Sequence, residues 1–278
     1  MSATKSDQVS KQSACDWYGI SRQAYYQAQQ QAQWRAAEDQ RILEMVRAQR
    51  QKHPRMGVRK LHYKLTPDLA AAGITRGRDA LFALLGRHGL LVKPRLSQRR
   101  TTRSGLWHCP NRLADMTLTR PHQAWVGDIT YIATEGGFVY LALLTDAYSR
   151  FIVGWDVSAS LAAEGCLRAL NQAIVHTAVS LAGLVHHSDH GMQYSSWDYL
   201  DRLRTNHMLP SMGEVGNCYD NALAERMNGI LKCEYGLDDL FLNLEHVRLA
   251  VEQAVWLYNY DRPHLSLDFA SPVTVHFT

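Results

Sequence analysis

Three consecutive segments, AWVGDITYIA (124–133), GFVYLALLTDAY (137–148) and RFIVGWDVSA (150–159), are dense in β-branched and aromatic residues. Such residues suit a pleated, half-buried surface. The breaks between them, at Glu135-Gly136-Gly137 and Ser149-Arg150, are short turn signals. A parallel pair would need a long crossover, so the three strands are predicted as an antiparallel meander. A helix is expected over about 162–179, a strand over 183–187, a helix over 196–207 and a fifth strand near 208–211. The order βββαβαβα predicts an α/β fold, a mixed five-stranded sheet flanked by helices.

Upstream the pattern is helical. Residues 9–50 have few breakers and many helix formers, with Ile42, Leu43, Met45 and Val46 giving part of one buried face. After Pro54 and Gly57 a second helix is predicted over Val58 to Leu65. A third would be capped by Thr75, carry Leu81, Phe82, Leu84 and Leu85 on its apolar side, and end at Gly89. Short helices with Arg76 and Arg78 at the start of the last one fit a helix-turn-helix DNA reader, whose second helix presents its N-terminal residues to base edges. The segment from Lys93 to Arg120 carries seven basic residues and one acid among Pro, Ser, Thr and Gly. It reads as an extended basic linker able to follow a phosphate backbone through Arg99, Arg100 and Arg103. Trp107 within it suits stacking on a base or docking on the next domain.

The net charge of +4 conceals a division. Residues 1–120 hold 22 Lys and Arg against 8 Asp and Glu, whereas residues 121–278 hold 8 against 18. A basic arm joined to an acidic body suggests a polyanion-binding region beside a carboxylate-rich one. The longest apolar run, Phe138 to Leu144, is seven residues, too short to span a bilayer, and the first twenty residues lack the apolar core of a signal peptide. The five cysteines are odd in number and never spaced as CxxC, which favours reduced thiols in a cytosol.

Asp128 lies in the middle of the first apolar strand, where aspartate is disfavoured and an unpaired buried carboxylate is costly. A bound cation would resolve that. Asp189 follows the fourth strand in HSDHG (187–191), and strand carboxyl ends are where open α/β sheets place ligands. Glu225 falls in a helix read as capped near Asp220, on which Asn221, Glu225, Asn228 or Gly229, and Lys232 share a face. Two strand acids and a helix acid can hold two Mg²⁺ (or Mn²⁺) ions through hard oxygen ligands. A pair of metals can activate a hydroxyl and stabilise the leaving oxygen in phosphoryl transfer. Lys232 would neutralise an adjoining substrate phosphate. His186, His187 and His190 around Asp189 raise a rival zinc-hydrolase reading, but no complementary His/Cys set accompanies them.

Taken together, these stretches are where the chain resembles the DDE transposases of insertion-sequence family three, relatives of retroviral integrases. The matching residues are Trp125 with Asp128-Ile129-Thr130-Tyr131, His187 to Gly191 with Gln193-Tyr194-Ser195, and Asp220-Asn221-Ala222 leading to Glu225 and Lys232. Thirty-five residues separate Asp189 from Glu225, the spacing of the family's DD(35)E signature. Tyr258-Asn259, Arg262-Pro263-His264, Leu267 and Pro272 match the family's ending. Arg226-Met227-Asn228 replaces the Ser-Phe-Phe that follows the glutamate in many relatives.

The resemblance implies a ribonuclease-H-like core with Asp128, Asp189 and Glu225 as metal-binding catalytic acids and Lys232 as a DNA contact. It divides the chain into a helical DNA-binding region (1–92), a basic linker (93–120), a catalytic core (121–240) and a helical tail (241–278). The implied activity is cleavage and strand transfer at terminal inverted repeats, with two divalent ions per site and joining to target DNA. A homo-oligomer in the bacterial cytoplasm, on the nucleoid when DNA-bound, follows from that chemistry. A DNA-binding regulator with a degenerate core and a purely hydrolytic nuclease are the alternatives.

Overall fold

The computed structural model describes residues 10–93, 109–213 and 222–278. Trp107, Arg99, Arg100, Arg103 and the Asp220 cap therefore lie outside the described residues, as does Asn221.

The N-terminal region is all helical: α1 (Lys11–Trp17), α2 (Arg22–Lys52), α3 (Val58–Ala71) and α4 (Arg78–Arg87). The helical run expected over 9–50 is broken once, where Gly19 at φ +65° ends α1 and Ser21 caps α2 through its side chain. Ile42, Leu43 and Val46 of α2 join Leu61, Leu65 and Leu69 of α3 and Leu81, Leu84 and Leu85 of α4 in one buried cluster. That tri-helical core explains three departures from expectation. Helix α3 runs past Leu65 to Ala71, through Pro67, because burial of Leu65 and Leu69 outweighs one missing backbone donor. Helix α4 is capped by Gly77, whose extended backbone starts the turn without a side-chain bond, and not by Thr75. Phe82 is 53% exposed, since the stripe through Leu81, Leu84 and Leu85 faces away from it. Gly89, at φ +65°, follows the end of α4 as expected.

The second part is built on β1 (Ala124–Thr134), β2 (Gly137–Asp146), β3 (Ile152–Ser158), β4 (Val185–Ser188) and β5 (Leu209–Met212). Their order is β3-β2-β1-β4-β5. The meander β1–β2–β3 is antiparallel, while β4 pairs parallel with β1 and β5 parallel with β4. This is the mixed, ribonuclease-H-like sheet expected. Helices α5 (Ala163–His176) and α6 (Trp197–Thr205) contribute to the cluster that buries Trp125, Leu144, Tyr194 and Tyr199 on one face. Helices α7 (Ala222–Tyr235) and α8 (Leu244–Tyr260) bury Ile132, Leu141 and Leu143 on the other.

Helix α8 contributes Val247, Val251, Ala254, Val255 and Tyr258 to that second cluster, so packing runs across residue 240 without a break. A short 3₁₀ turn at Leu265–Leu267 and α9 (Pro272–His276) complete the chain. Among the described residues, no helix is long and apolar enough to cross a membrane, and Cys15, Cys109, Cys166 and Cys233 are free thiols.

Candidate active site

Strand alternation decides where Asp128 points. On β1, Trp125 and Ile129 pack with the α5–α6 cluster, whereas Ile132 packs with the α7–α8 cluster. Side chains two apart share a face, so Asp128 stands with Ile132 on the α7 side. In the parallel pairing with β4, Val126 sits beside His187 and Gly127 beside Ser188. Asp128 follows Gly127 on β1, and Asp189 follows Ser188, the last residue of β4. Each aspartate thus lies one residue beyond the last pair of the β1–β4 ladder.

Helix α7 is fixed over the same place. Asn228 Nδ2 donates to Asp128 Oδ2 at 2.8 Å, and the Ile129 backbone N–H donates to Asp128 Oδ1 at 2.9 Å. Glu225 is three residues before Asn228, one turn up the same face, and Lys232 one turn down it. Burial lowers the Lys232 ammonium pKa, against the pull of the Asp238 and Asp128 carboxylates. Asp189 Oδ1 accepts from the Gly191 N–H at 3.0 Å, closing a tight turn after β4.

Tyr194, in the loop that follows, packs on β1 at Gly127. A Cβ on Gly127 would lie 3.2 Å from the Tyr194 ring and 3.2 Å from Leu144, so the loop carrying Asp189 seats an aromatic ring where β1 has no side chain. Tyr194 also hydrogen-bonds Cys166, whose thiol is pushed up to about 12 by burial. Nothing beyond its motif neighbours marks Tyr194 in the sequence. Periodicity puts Asn228 or Gly229 on the face of Glu225 and Lys232, and the bond from Asn228 to Asp128 follows only from the fold.

A comparison inside the sheet sharpens the role of Asp128. Asp146, at the end of β2, is fully buried and accepts from the His122, Tyr148 and Ser149 N–H groups and the Ser149 hydroxyl. Four donors, three from the turn after β2 and one from His122, make it a structural carboxylate. Asp128 is only half-buried and opens toward α7.

The histidines of the rival zinc reading are dispersed. His186 pairs with the Tyr199 hydroxyl at 2.8 Å on the α6 face, and burial drives its pKa down to about 3. His187 Nδ1 meets Ser211 Oγ at 2.9 Å, and His190 Nε2 reaches the Gly213 carbonyl at 2.5 Å. Among the described residues, no group of three His, Cys, Asp or Glu side chains is close enough to hold a metal ion.

The two arginines proposed to read DNA diverge. Arg76 precedes α4 and turns back to Asp39 and Glu38 of α2, with its side chain 17% exposed. Arg78, in the first turn of α4, is exposed and lies beside Asp79.

A five-stranded mixed sheet with one aspartate on its central strand, another just after the neighbouring parallel strand and a glutamate-bearing helix bonded to the first suits an integrase-type core. Residues 119–218 and 206–272 match family models described as "Integrase core domain". The transposase for insertion sequence element IS629 of Shigella sonnei is 36% identical over 89% of this chain and 85% of its own. The putative transposase for IS986/IS6110 of Mycobacterium tuberculosis is 36% identical over 74% of this chain and 76% of its own. Among solved structures, the HTLV-2 integrase catalytic core domain in complex with magnesium is 22% identical, covering 56% of this chain and 97% of that one with a TM-score of 0.45. The chain belongs to the insertion-sequence transposases of family three, DDE enzymes that cleave and join DNA strands in transposition.

Proposed function

We propose that Asp128, Asp189 and Glu225 are the catalytic acids of this transposase and that it acts on terminal inverted repeats and target DNA. The observation that supports this best is the bond from Asn228 of α7 to Asp128 on β1, with Asp189 following the last residue of β4 that pairs with β1. The donor set fits a hard divalent cation. Magnesium is commonly held by one or two carboxylates, with water and substrate phosphate completing its shell, so three acids need not close into a protein cage. Asp128, Asp189 and Glu225 would hold two Mg²⁺ or Mn²⁺ ions, which supply activation of the attacking hydroxyl and charge relief at the leaving oxygen.

The chain's own groups do the positioning. The N–H groups of Ile129 and Asn228 aim the Asp128 carboxylate, and the Gly191 N–H aims Asp189. Lys232 offers a positive charge to a phosphate beside them. Water is the nucleophile for cleavage, and the freed 3′ hydroxyl is the nucleophile for joining. Helices α3 and α4 form the DNA-reading unit, with Arg78 toward the duplex and the basic linker residues Arg99, Arg100 and Arg103 along its backbone. One core has one site, so joining two ends calls for a homo-oligomer. The working compartment is the bacterial cytoplasm, on the nucleoid when bound to DNA.

The test is substitution of each acid by its amide. Asp128→Asn, Asp189→Asn and Glu225→Gln are each expected to abolish Mg²⁺-dependent cleavage and joining of a terminal-repeat duplex while retaining DNA binding. Joining by any one of them at the wild-type rate overturns the assignment.

A further inference from the structure

Helix α7 has two working stripes. The front stripe is Glu225, Asn228 and Lys232. The back stripe is Met227, Ile230 or Leu231, and Glu234, at the same helical spacing on the opposite side. Met227, Ile230 and Leu231 sink into the cluster beneath α8. The back stripe then ends on a carboxylate.

Glu234 is held by residues distant in sequence. Arg262 binds it through two bonds, Nε to Oε2 at 2.8 Å and Nη2 to Oε1 at 2.9 Å, with the arginine side chain only 3% exposed. Lys60 of α3 donates to the same Oε1. Arg262 also lies over the Tyr258 ring, and the Tyr258 hydroxyl donates to Met227 Sδ at 3.1 Å. Next to Tyr258, Asn259 donates to the Ile152 carbonyl and accepts from its N–H, tying α8 to β3. The Tyr258-Asn259 and Arg262 motif therefore grips α7 from behind at two heights and is itself anchored to the sheet.

We propose that Arg262, with Lys60 completing the pair of cations on Glu234, is a positioning residue for the active site. It fixes the rotation and axial position of α7, and so where Glu225 meets Asp128 and Asp189. A bidentate guanidinium–carboxylate pair fixes angle as well as distance, which a point charge does not. Glu234 is nine residues from Glu225, half a helical turn around and about 14 Å along. Slippage at one end is therefore transmitted to the other. The inference rests on Glu225 being a catalytic acid.

The experiment compares the full-length protein with Arg262→Gln, Arg262→Lys, Lys60→Met and Glu225→Gln. Strand cleavage is followed against Mn²⁺ concentration, and Mn²⁺ binding to the DNA-free protein is read by electron paramagnetic resonance. Groups that orient metal ligands are worth roughly 10–100-fold in affinity, and action through a helix places Arg262→Gln at about tenfold weaker Mn²⁺ in both readouts. Lys60→Met is expected to weaken it less, and Arg262→Lys to recover part of the loss. Terminal-repeat binding is unchanged in all. Folded Arg262→Gln and Lys60→Met proteins with wild-type Mn²⁺ dependence overturn the proposal. Where Arg262→Gln does not fold, Lys60→Met and Arg262→Lys decide the matter. Full activity in Glu225→Gln sinks the catalytic reading itself, whereas an inactive Glu225→Gln beside an unaltered Arg262→Gln sinks only the positioning role.

Discussion

Asn228 donates its amide hydrogen to Asp128 at 2.8 Å, joining the helix that carries Glu225 to the strand that carries the first acid. The Asn228 Oδ1 on the same amide is buried without a hydrogen-bond partner. Asn228→Ala is expected to raise the Mg²⁺ concentration for half-maximal cleavage by about 10–100-fold. Asn228→Asp is expected to be worse at low metal, because two carboxylates then face each other. Metal titrations of cleavage check both, and an unshifted Asn228→Ala curve removes the asparagine from the site.

Gly127 leaves the space that the Tyr194 ring fills, since an added Cβ would sit 3.2 Å from both that ring and Leu144. Gly127→Ala is expected to destabilise the fold by about 1–3 kcal/mol through overpacking. Thermal melts give the answer, and an unchanged melting temperature would mean the loop yields freely.

Arg76 and Arg78 are expected to separate by function. Arg76→Ala breaks the contact with Asp39 and Glu38 and lowers the melting temperature. Arg78→Ala leaves the melt unchanged but weakens terminal-repeat binding, reducing the log–log salt slope by about one if it contacts a phosphate. Anisotropy titrations at several salt concentrations distinguish them. A salt slope altered by Arg76→Ala and not by Arg78→Ala would reverse the assignment.

The buried histidines set a direction for acid stability. His186, beside the Tyr199 hydroxyl, has its pKa lowered from 6.5 to about 3 by burial and then by His187. The unfolded chain binds a proton there that the folded chain refuses, so stability is full above pH 6.5 and falls as pH drops toward 3. Melting temperature against pH should decline over that window, with a shallower slope in His186→Gln. Equal slopes for the two proteins would show that other groups govern the decline.

Much of this arrangement is legible in the sequence. The meander shows in its β-branched runs, the parallel strands in their order, and Glu225 with Asn228 in helical periodicity. What escaped is long-range pairing. Thr75 reads as a cap because threonine often is one, yet the packing of Leu81, Leu84 and Leu85 starts the helix after Gly77. Arg76 reads as a free cation until Asp39, thirty-seven residues earlier, is brought beside it. Asp128 and Asp146 are both strand aspartates, and only the donors around each tell the structural carboxylate from the one facing α7. Lys60, Glu234 and Arg262 are separated by 174 and 28 residues, beyond any local pattern.

The two halves of the chain touch through side chains as well as through the backbone between them. His53 and Lys64 both reach Asp261, Arg55 reaches Asp238, and Tyr63 stacks on Phe269 at 4.6 Å. A single proteolytic nick in the linker would therefore leave a two-piece protein that co-migrates as one. The position of α2 and α3 relative to α7 and α8 is then set by side-chain contacts, as on a gauge block.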